Sequence, residues 1–479
     1  MKTFHFWIGI ALFVLFCWIE IPSQPQANEM AAITILMAYW WFTECIHFTV
    51  TSLLPLVLFP ILRIESTKNT ATEYMDSIIF LFIGGFFFAF ALQKWNLHQR
   101  LALILLTKIG KSLSSILYGI LFACFFLSMW ISNTATVLLL LPMVLAILKW
   151  LETLPMNNNE LRNIEIAFLI GLSYASTMGG MATLVGTPTN MIFFREFTKH
   201  FPHIPMSFLT WFFLCFPVAM VLFFCLCFYL RKFLLPNRKI ILDKNLFIKE
   251  LNELGAWKKE EKIIAMLFLV TVILWFTRSD IDFGNFHWYG WGSLLFKNDW
   301  VNDTTVVMGT SLLLFFIPDS QKKSSILTWE DTKQLPFDII LLFGGGFALA
   351  KGFETTGLSE WLAYQINGFI HLPSWIFLLF LVMIITIISE FASNVACIQL
   401  MLPIIITLQA QNQLDPLTFT LPATLAASLG FMMPVATAPN TIVYGTQKIP
   451  IQFLLLIGLI MDLIGILFVS LWTYYWILL

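Results

Sequence analysis

The chain has 479 residues, of which 59% are hydrophobic and only 11% are charged, and its formal net charge is −1. Soluble domains carry about 25% charged residues, so this composition excludes a soluble globular protein and predicts one that crosses a membrane many times. The near-neutral charge gives no reason to expect a nucleic-acid partner. The seven cysteines contain no C-x-x-C pair, so neither a disulfide framework nor a zinc site is supported.

Thirteen apolar segments follow one another along the chain. They lie at 5–22, 29–46, 49–62, 77–93, 115–149, 165–194, 208–230, 262–277, 302–318, 337–352, 373–409, 420–446 and 451–477. A helix needs about 20 residues to cross a bilayer, so 115–149 and 373–409 are too long for one crossing and too short for two. We expect both to be re-entrant helical hairpins whose polar tips are shielded by protein or line a water-filled cavity.

The charges of the loops predict the orientation. If the N-terminus is cytoplasmic, three loops rich in Lys and Arg lie on the cytoplasmic side, at 94–114, 231–262 and 319–336. The external loop 278–303 has two basic residues against four aspartates. This distribution satisfies the positive-inside rule and predicts about 11 transmembrane helices with the C-terminus outside. The first apolar segment lacks a small-residue cleavage site after it, so we expect it to be retained as a helix rather than removed as a signal peptide.

Four short motifs occur twice in the same order, which indicates a duplicated fold. The pairs are Trp41-Phe42-Thr43 with Trp275-Phe276-Thr277, Gly84-Gly85 with Gly344-Gly345-Gly346, Ser132-Asn133-Thr134 with Ser393-Asn394-Val395, and Gly186-Thr187-Pro188-Thr189-Asn190 with Ala436-Thr437-Ala438-Pro439-Asn440. An odd number of spans inverts the second copy relative to the first. The chain then divides into a first helix, a first inverted repeat, a cytoplasmic linker and a second inverted repeat, at 1–28, 29–230, 231–261 and 262–479.

The two Ser-Asn tripeptides lie near the tips of the expected hairpins, where two half-helices meet. The half-helix before a tip ends in free carbonyl oxygens, which favour a cation. The half-helix after it begins with free N–H groups, which favour an anion. An Asn side chain supplies both an acceptor and donors. Broken helices of this kind at membrane depth are typical of transporter binding sites.

Neutral oxygen atoms at each tip, together with the nearby helix break, predict two sodium sites. Pro188 and Pro439 break their helices, and the freed carbonyl groups can complete a coordination shell. No carboxylate lies in these motifs, and sodium typically takes neutral oxygens. The first set of ligands is Ser128, Ser132, Asn133 and Gly186, and the second is Ser389, Ser393, Asn394 and Ala436.

The same motifs contain no Lys or Arg. A bound anion would therefore be balanced by helix ends, amides, hydroxyls and co-bound cations, because a bare dianion at membrane depth is very costly. This charge balance favours cation-coupled anion transport. We expect Asn133 and Thr134 to hold one end of the substrate and Asn394 the other. Three residues at the helix breaks complete the predicted substrate set: Thr187, Thr437 and Ala438.

Simpler interpretations exist for each of these polar residues. Ser, Thr and Asn in membrane helices often serve only interhelical hydrogen bonds, although two matched copies at paired tips weigh against that here. Glu44, His47 and Glu390 lie in or near apolar runs. They could relay protons, but helix capping or packing is the favoured interpretation. Glu390 adjoins Ser389 and could bias the second cation site.

These motifs together resemble the divalent anion/sodium symporter family, whose members carry di- and tricarboxylates and sulfate. The resemblance covers about residues 30–477. It is carried by Trp40-Trp41-Phe42-Thr43-Glu44, Thr51-Ser52-Leu53-Leu54-Pro55, Gly84-Gly85, Ser132-Asn133-Thr134, the run from Gly179 to Pro188, Trp329-Glu330-Asp331, Gly344-Gly345-Gly346, Ser393-Asn394 and Pro434-Val435-Ala436-Thr437.

The resemblance implies a homodimer with scaffold and transport domains that moves its substrate by an elevator-type motion. It also implies that the paired Ser-Asn motifs bind substrate and sodium. One departure concerns Val395, which stands where the family often has Thr. A site that hydrogen-bonds a substrate group discriminates more strongly than an apolar one, so we expect Val395 to alter substrate preference.

The sequence thus predicts an all-α inverted-repeat transporter rather than an enzyme. Its expected activity is sodium-coupled symport of a C4-dicarboxylate such as succinate or malate, in a bacterial inner membrane, with Na⁺ as the coupling ion and no organic cofactor. An exchanger of dicarboxylates and a carrier of sulfate or another inorganic anion are alternatives on the same fold. A membrane enzyme is disfavoured because no cluster of His, Asp and Glu lies at one bilayer face, and a passive channel is disfavoured by the paired tips.

Overall fold

The computed structural model describes residues 2–19, 21, 26–108, 112–236, 245–282, 287–296, 300–321, 324–368 and 372–475. Regular structure in these ranges is helical apart from two antiparallel two-residue strands, β1 (Ile281–Asp282) and β2 (His287–Trp288). The helices up to the predicted linker are α1 (Lys2–Cys17), α2 (Ala27–Thr43), α3 (Phe48–Ser52), α4 (Leu54–Ile61), α5 (Thr67–Glu73), α6 (Ser77–Lys94), α7 (Leu97–Lys108), α8 (Leu113–Ser128), α9 (Asn133–Leu151), α10 (Asn158–Met181), α11 (Pro188–His200) and α12 (Phe208–Phe233).

The remaining helices continue this order to the end of the described chain. They are α13 (Asn245–Glu253), α14 (Lys259–Arg278), α15 (Trp291–Leu295), α16 (Asp303–Phe316), a 3-10 helix at Trp329–Gln334, α17 (Phe337–Thr356), α18 (Leu358–Asn367), α19 (Ser374–Phe391), α20 (Asn394–Gln411), α21 (Leu417–Ala427), α22 (Ala438–Tyr444) and α23 (Ile451–Thr473).

Seven helical stretches of the described chain are long and apolar enough to cross a membrane. They are Thr67–Lys94, Asn133–Leu151, Asn158–Met181, Phe208–Phe233, Ser374–Phe391, Asn394–Gln411 and Ile451–Thr473. The all-α fold class of a membrane protein is therefore confirmed. The total of about 11 spans, the re-entrant geometry, and the division into repeats stay predictions.

Each segment predicted as a hairpin contains two helices separated by a short turn. In the first, α8 ends at Ser128 and α9 begins at Asn133; in the second, α19 ends at Phe391 and α20 begins at Asn394. Both turns therefore coincide with the Ser-Asn tripeptides. Pro142 and Pro403 lie inside the second helix of each pair.

Helix α10 lies within 29–230, the range predicted as the first repeat, and is almost wholly buried. It packs against α8, α9, α12 and α22. At Gly171 an added Cβ atom would lie only 2.9 Å from side-chain carbons of Leu121 and of Leu230. Small residues allow such close approach of helices in membrane proteins. The break that follows α10 is consequently enclosed by protein on several sides.

The three loops predicted on one side of the membrane contact one another. Arg100 donates to the Gly255 carbonyl at 2.8 Å and forms a buried ion pair with Glu261 at 3.0 Å. Lys94 pairs with Asp331 at 2.6 Å. Burial alone would raise the pKa of Asp331, but the Lys94 ammonium and hydrogen bonds from Thr328 outweigh it and lower that pKa. These contacts agree with placing 94–114, 231–262 and 319–336 on a common side.

The apolar segment 49–62 differs from a single continuous helix. It consists of α3 and α4, of five and eight residues, which meet at Leu53. Pro55 lies in the first turn of α4, where a missing N–H group is tolerated, but the same proline prevents α3 from continuing. His47 accepts a hydrogen bond from the Thr49 amide at 3.4 Å and caps α3, while Glu44 ends α2.

Candidate functional site at two hairpin tips and two helix breaks

The two tips share one hydrogen bond. In the first tip the Ser128 hydroxyl donates to the side-chain oxygen of Asn133 at 2.6 Å. In the second, the Ser389 hydroxyl donates to Asn394 at 2.8 Å. Both serines are buried and both asparagines are half-buried. Each Asn is therefore held by its serine at the N-terminus of the following helix, where free N–H groups and the helix dipole favour an anion.

The serine next to each Asn behaves differently in the two tips. Ser132 is the N-cap of α9, and its side chain accepts a hydrogen bond from the Ala135 amide at 3.3 Å. Ser393 occupies the same position before α20, but within the described chain its side chain makes no cap hydrogen bond and is exposed. The Ser393 hydroxyl is thus available to a ligand.

Each tip faces a helix break that is closed by an asparagine. Between α10 and α11, the Asn190 amide donates to the carbonyls of Gly180 at 3.0 Å and Thr183 at 2.7 Å. Between α21 and α22, the side-chain amide of Asn440 donates to the carbonyls of Gly430 at 3.2 Å and Met433 at 3.1 Å, which lie ten and seven residues before it, as in the first break. These bonds satisfy carbonyl groups that the interrupted helix leaves without partners. The same construction in both repeats supports the internal duplication.

Oxygen atoms from tip and break converge in the first repeat. A Cβ atom at Gly180 would lie 2.3 Å from the side-chain oxygen of Asn133. A Cβ atom at Gly186 would lie 2.4 Å from the Gly180 carbonyl oxygen. Ser128 reaches the same Asn133 oxygen. The structure therefore brings together Ser128, Asn133 and Gly186, three of the four predicted ligands of the first sodium site. The fourth, Ser132, directly precedes Asn133 in the chain.

The second repeat gathers the corresponding residues around Gly430. A Cβ atom there would lie 3.1 Å from the Ala436 Cβ atom and 3.4 Å from both the Asn394 side-chain oxygen and the Ser389 carbonyl oxygen. Three predicted ligands of the second site, Ser389, Asn394 and Ala436, are again neighbours. The fourth, Ser393, directly precedes Asn394 in the chain. The oxygens that the structure shows in both groups are neutral, from side chains and backbone, and the assignment of sodium ligands among them stays a prediction.

Further hydrogen bonds tie each tip to its break. In the first repeat the Thr183 hydroxyl donates to the Met129 carbonyl. In the second, the Ser389 hydroxyl oxygen lies 2.5 Å from the Ala427 carbonyl oxygen, so its single hydrogen is shared between this carbonyl and the Asn394 side-chain oxygen. A tip and the break beside it are consequently one connected unit rather than two separately placed loops.

Glu390 has a defined structural partner in the second repeat. It is only 3% exposed, and its two carboxylate oxygens accept hydrogen bonds from the amides of Met432 at 2.8 Å and Met433 at 2.7 Å. The carboxylate thus satisfies two backbone N–H groups of the second break, which lie outside the helices. The corresponding position of the first repeat is Met129, so this acid is present on one side only.

The two breaks also contact each other. Side chains of α10 and α11 reach residues of the second break and α22, so that both repeats contribute to one buried polar region. The contacts are Ser173 Oγ to Asn440 Oδ1 at 2.6 Å, Thr189 Oγ1 to Ser428 Oγ at 3.0 Å, and the Tyr174 hydroxyl to the Phe431 carbonyl at 2.6 Å. This meeting of two halves is the geometry expected of a site shared by a duplicated fold.

A cavity adjoins each tip. The cavity at the first tip has a volume of about 30 Å³ and is lined in part by Ser132 and Gly186. The cavity at the second tip is larger, about 470 Å³, and its lining includes Glu44, Ser393 and Ala436. Ser132 and Ser393 therefore face different cavities in this conformation.

The remaining residues of the predicted substrate set lie around these cavities in different ways. Ala438 lines the larger cavity. Thr187 is the buried N-cap of α11. Thr437 is the N-cap of α22, and its hydroxyl accepts a hydrogen bond from the backbone N–H of Asn440 at 3.3 Å. Thr134 is half-buried in the first turn of α9. Val395 packs against apolar side chains of the core.

Sequence reasoning missed several residues that build the site. Asn190 and Asn440 close the two breaks, and Gly180 and Gly430 let the break approach the tip. A signal was present for the asparagines, since each ends one copy of a repeated motif. Their role depends on the partner carbonyls seven and ten residues away, which a motif comparison does not provide.

Comparison with known proteins agrees with this architecture. The family model described as the sodium:sulfate symporter transmembrane region matches residues 2–479. The protein named sodium-dependent dicarboxylate transporter SdcS from Staphylococcus saprophyticus is 36% identical over 477 residues, which cover 98% of this chain and 90% of the relative. SdcS from Staphylococcus aureus strain NCTC 8325 is 37% identical over 483 residues with the same coverage.

Two solved structures share the fold at low sequence identity. The YdaH transporter of Alcanivorax borkumensis superposes with a TM-score of 0.55 at 13% identity, covering 99% of this chain and 96% of that one. Neisseria gonorrhoeae MtrF superposes with a TM-score of 0.56 at 11% identity, covering 86% and 84%. Because the family model matches nearly the whole chain and the SdcS proteins are similar over almost their full length, this protein belongs to the sodium:sulfate symporter family of membrane transporters.

Proposed function

We propose that this protein is a sodium-coupled symporter of a C4-dicarboxylate, with succinate and malate as the leading substrates. The observation that carries the proposal is the pair of equivalent tip-and-break clusters built from neutral oxygens, centred on Asn133 and Asn394. The names of the SdcS relatives support both the cation and the class of substrate.

Charge balance connects the two ligands. Sodium ions held by neutral oxygens add positive charge next to helix N-termini that already favour an anion. A dicarboxylate that binds beside these ions nearly balances their charge, which avoids the cost of burying an unpaired dianion. Coupling follows because each ligand binds better when the other is present, and this linkage is reciprocal.

The assignment of individual residues is part of the proposal. The first sodium site would use Ser128, Ser132, Asn133 and Gly186, and the second Ser389, Ser393, Asn394 and Ala436. The substrate would contact the two tripeptides together with Thr187, Thr437 and Ala438. The two tip cavities are separate in this conformation, so a substrate bound to both tips requires a rearrangement between them.

The wider arrangement is likewise proposed. We infer a homodimer in a bacterial inner membrane, with a cytoplasmic N-terminus, an external C-terminus and an elevator-type movement of the unit that carries both tips. The protein would need Na⁺ but no organic cofactor, and its partners would be the small anion and the lipid bilayer. The family to which the chain belongs supports a transporter rather than an enzyme.

Uptake by purified protein in proteoliposomes tests this function. Labelled succinate should accumulate when an inward sodium gradient is applied to empty vesicles, and replacement of sodium by potassium should abolish accumulation. Uptake that needs preloaded dicarboxylate but no sodium would instead establish an exchanger. Stronger competition by sulfate than by malate would establish an inorganic-anion carrier, which the description of the family also accommodates.

Val395→Thr is expected to change the relative uptake of dicarboxylates, tricarboxylates and sulfate. The substitution adds a hydroxyl at the position equivalent to Thr134, and hydrogen-bonding sites discriminate more strongly than apolar ones. The matched reciprocal variant is Thr134→Val, which removes the hydroxyl from the other tip and should shift the ranking in the opposite sense. An identical ranking in all three proteins would remove position 395 from substrate selection.

A further inference from the structure

Arg195 on α11 is a buried cation that the proposed transport site does not use. It is only 5% exposed, and its guanidinium group forms ion pairs with Glu73, Asp76 and Glu196. The Arg195 Nε atom lies 3.2 Å from the Asp76 carboxylate. The guanidinium carbon lies 4.5 Å from the centre of the Phe347 ring. Buried charges are costly unless they are paired, so this set of partners around one guanidinium group calls for a functional explanation.

The partners of Arg195 come from different parts of the fold. Glu196 belongs to α11 itself, whereas Glu73 is the last residue of α5 and Asp76 caps α6. Helix α11 follows the first break and packs on α20 and α21 of the predicted second repeat. Helices α5 and α6 pack instead on α4, α14, α16 and α17. The ion pairs to Glu73 and Asp76 therefore join the unit that carries the tips and breaks to helices outside that unit.

Two cavities lie along the same pair of helices, α6 and α11. The small cavity at the first tip, about 30 Å³, is lined by Ala89 of α6 and by Pro188 at the start of α11. A larger one of about 470 Å³, here called the outer cavity, is lined by Asp76 and Arg195 and by residues at both ends of the loop 278–303. Arg195 comes seven residues after Pro188, which is about 10 Å along the helix. The ion pairs thus lie where the crevice between α6 and α11 meets the outer cavity.

The second repeat carries no such charge at the matching position. Asn190 and Asn440 end the two copies of the break motif, and the residues five positions later are Arg195 and Gly445. Gly445 is exposed, and Thr441 of the same helix lines the cavity of about 470 Å³ at the second tip. The small cavity is therefore found at the tip whose neighbouring helix is held by ion pairs, and the wide cavity at the tip where glycine replaces the arginine.

We propose that Arg195 is a gate residue that controls access to the first tip. Its ion pairs with Glu73 and Asp76 hold α11 against the start of α6, and this contact closes the crevice that would join the outer cavity to the tip. Both pairs have to part before the crevice opens, so their strength sets the population of the open state. Lys199, one turn later on α11, pairs with the exposed Glu354 of α17 at 3.2 Å and adds a weaker tie.

The two acids outside α11 are the best positions for a test. Removal of Arg195 would leave three carboxylates without their cation, which by itself destabilises a fold. Glu73→Gln combined with Asp76→Asn instead leaves Arg195 paired with Glu196. Asn at position 76 also keeps an acceptor for the N-terminus of α6, so the helix retains its cap.

A cysteine in the small cavity reports the opening of the crevice. Ala89→Cys places a thiol there, and peptide mass spectrometry of the full-length protein, treated with a charged, water-soluble maleimide, measures its labelling separately from the native cysteines. Addition of Glu73→Gln and Asp76→Asn should raise the labelling rate about 10-fold, because the open state becomes more populated. If the combined variant does not fold, Asp76→Asn alone replaces it with the same expected direction. An unchanged rate would overturn the proposal.

Glu65→Gln is the matched control for the labelling test. The Glu65 carboxylate lies just before α5 and accepts hydrogen bonds from Ser66 and Asn69 of its own segment. Its loss should leave the labelling rate at position 89 unchanged. A rise equal to that of the gate variant would show that any change near α5 loosens the structure, and it would equally overturn the proposal.

Uptake kinetics test the consequence for transport, which rests on the proposed sodium-coupled function. A larger population of the externally open state lowers the apparent dissociation constant of an external substrate. Cells expressing Glu73→Gln with Asp76→Asn should therefore show a half-saturating external succinate concentration about 5-fold below that of the wild type. Their maximal rate should also fall, because the return to the closed state no longer gains the two ion pairs.

The direction of this change separates a gate from simple damage. Damage to the binding site would raise the half-saturating concentration, so a rise would contradict a gate on the external side. Lack of sodium-driven uptake by the wild type would refute the proposed function instead. The labelling test does not depend on transport and would still decide whether Arg195 closes the crevice.

Discussion

Asn133→Ala and Asn394→Ala are each expected to reduce sodium-driven uptake by at least about 100-fold, because loss of a residue that merely supports a metal ligand already costs up to that much. Each asparagine is the centre of one tip, where it accepts from Ser128 or Ser389 and adjoins a glycine of the break. Truncation removes an oxygen and two donors, and it leaves the serine hydroxyl without its acceptor. Initial rates of succinate uptake in proteoliposomes, at saturating sodium, are the measurement.

The controls for this pair separate binding from folding. Asn158→Ala alters an exposed asparagine in the first turn of α10 and should leave uptake unchanged. Both tip variants should retain a monodisperse elution profile and a melting temperature close to that of the wild type. Wild-type uptake in either tip variant would refute the assignment of that tip to the transport site.

Gly180→Ala is the second substitution with a large expected effect. Its Cβ atom would lie 2.3 Å from the Asn133 side-chain oxygen, which is too close for any real contact, so the Asn133 amide has to move. Misplacement of a functional group by about 1 Å can cost about 100-fold in activity. We therefore expect a loss of uptake similar to that of Asn133→Ala, although position 180 carries no functional side chain.

Substitutions at two other glycines serve as controls for Gly180→Ala. At Gly430 an added Cβ atom would be 3.4 Å from the Asn394 oxygen, so Gly430→Ala should have a much smaller effect on uptake. Gly309, inside α16, has no heavy atom within 4 Å of an added Cβ atom. Gly309→Ala should keep full activity and gain slightly in stability from better helix propensity. Equal losses at positions 180 and 309 would show that the effect is not local to the site.

The two halves of the site are similar in construction but unequal in chemistry. Serine–asparagine tips and asparagine-closed breaks occur in both. The second half alone has the Glu390 carboxylate on its break and a cavity of about 470 Å³ beside its tip. We expect the second cation site to be the more sensitive to substitutions in the surrounding helices, because more of its geometry depends on buried polar contacts.

The repeated motifs predicted several contacts that the structure contains. A serine lies four residues before each Ser-Asn pair, and the structure places Ser128 and Ser389 within hydrogen-bonding distance of the nearby Asn oxygens. The pattern could indicate this contact because the partners are only five residues apart, so local geometry determines it; the role of both serines as sodium ligands stays a prediction. The all-α class was equally accessible, since long apolar segments in a weakly charged chain leave few alternatives.

Contacts between segments that are far apart in the chain could not be predicted from the residue pattern. The bonds from Ser173 to Asn440 and from Glu390 to the Met432 amide join residues 267 and 42 positions apart. Likewise, nothing in the residue pattern indicated that Val395 packs into the core or that the two tips open on different cavities.

The sequence by itself determined a helical membrane protein with a duplicated pattern and two Ser-Asn tips, because hydrophobic segment length and local motifs are properties of neighbouring residues. Only the tertiary structure decided which carbonyls close the breaks, which glycines admit the tip asparagines and which backbone amides Glu390 accepts from. Those outcomes depend on how helices far apart in the chain pack, and buried polar groups accept only the partners that this packing places within hydrogen-bonding distance.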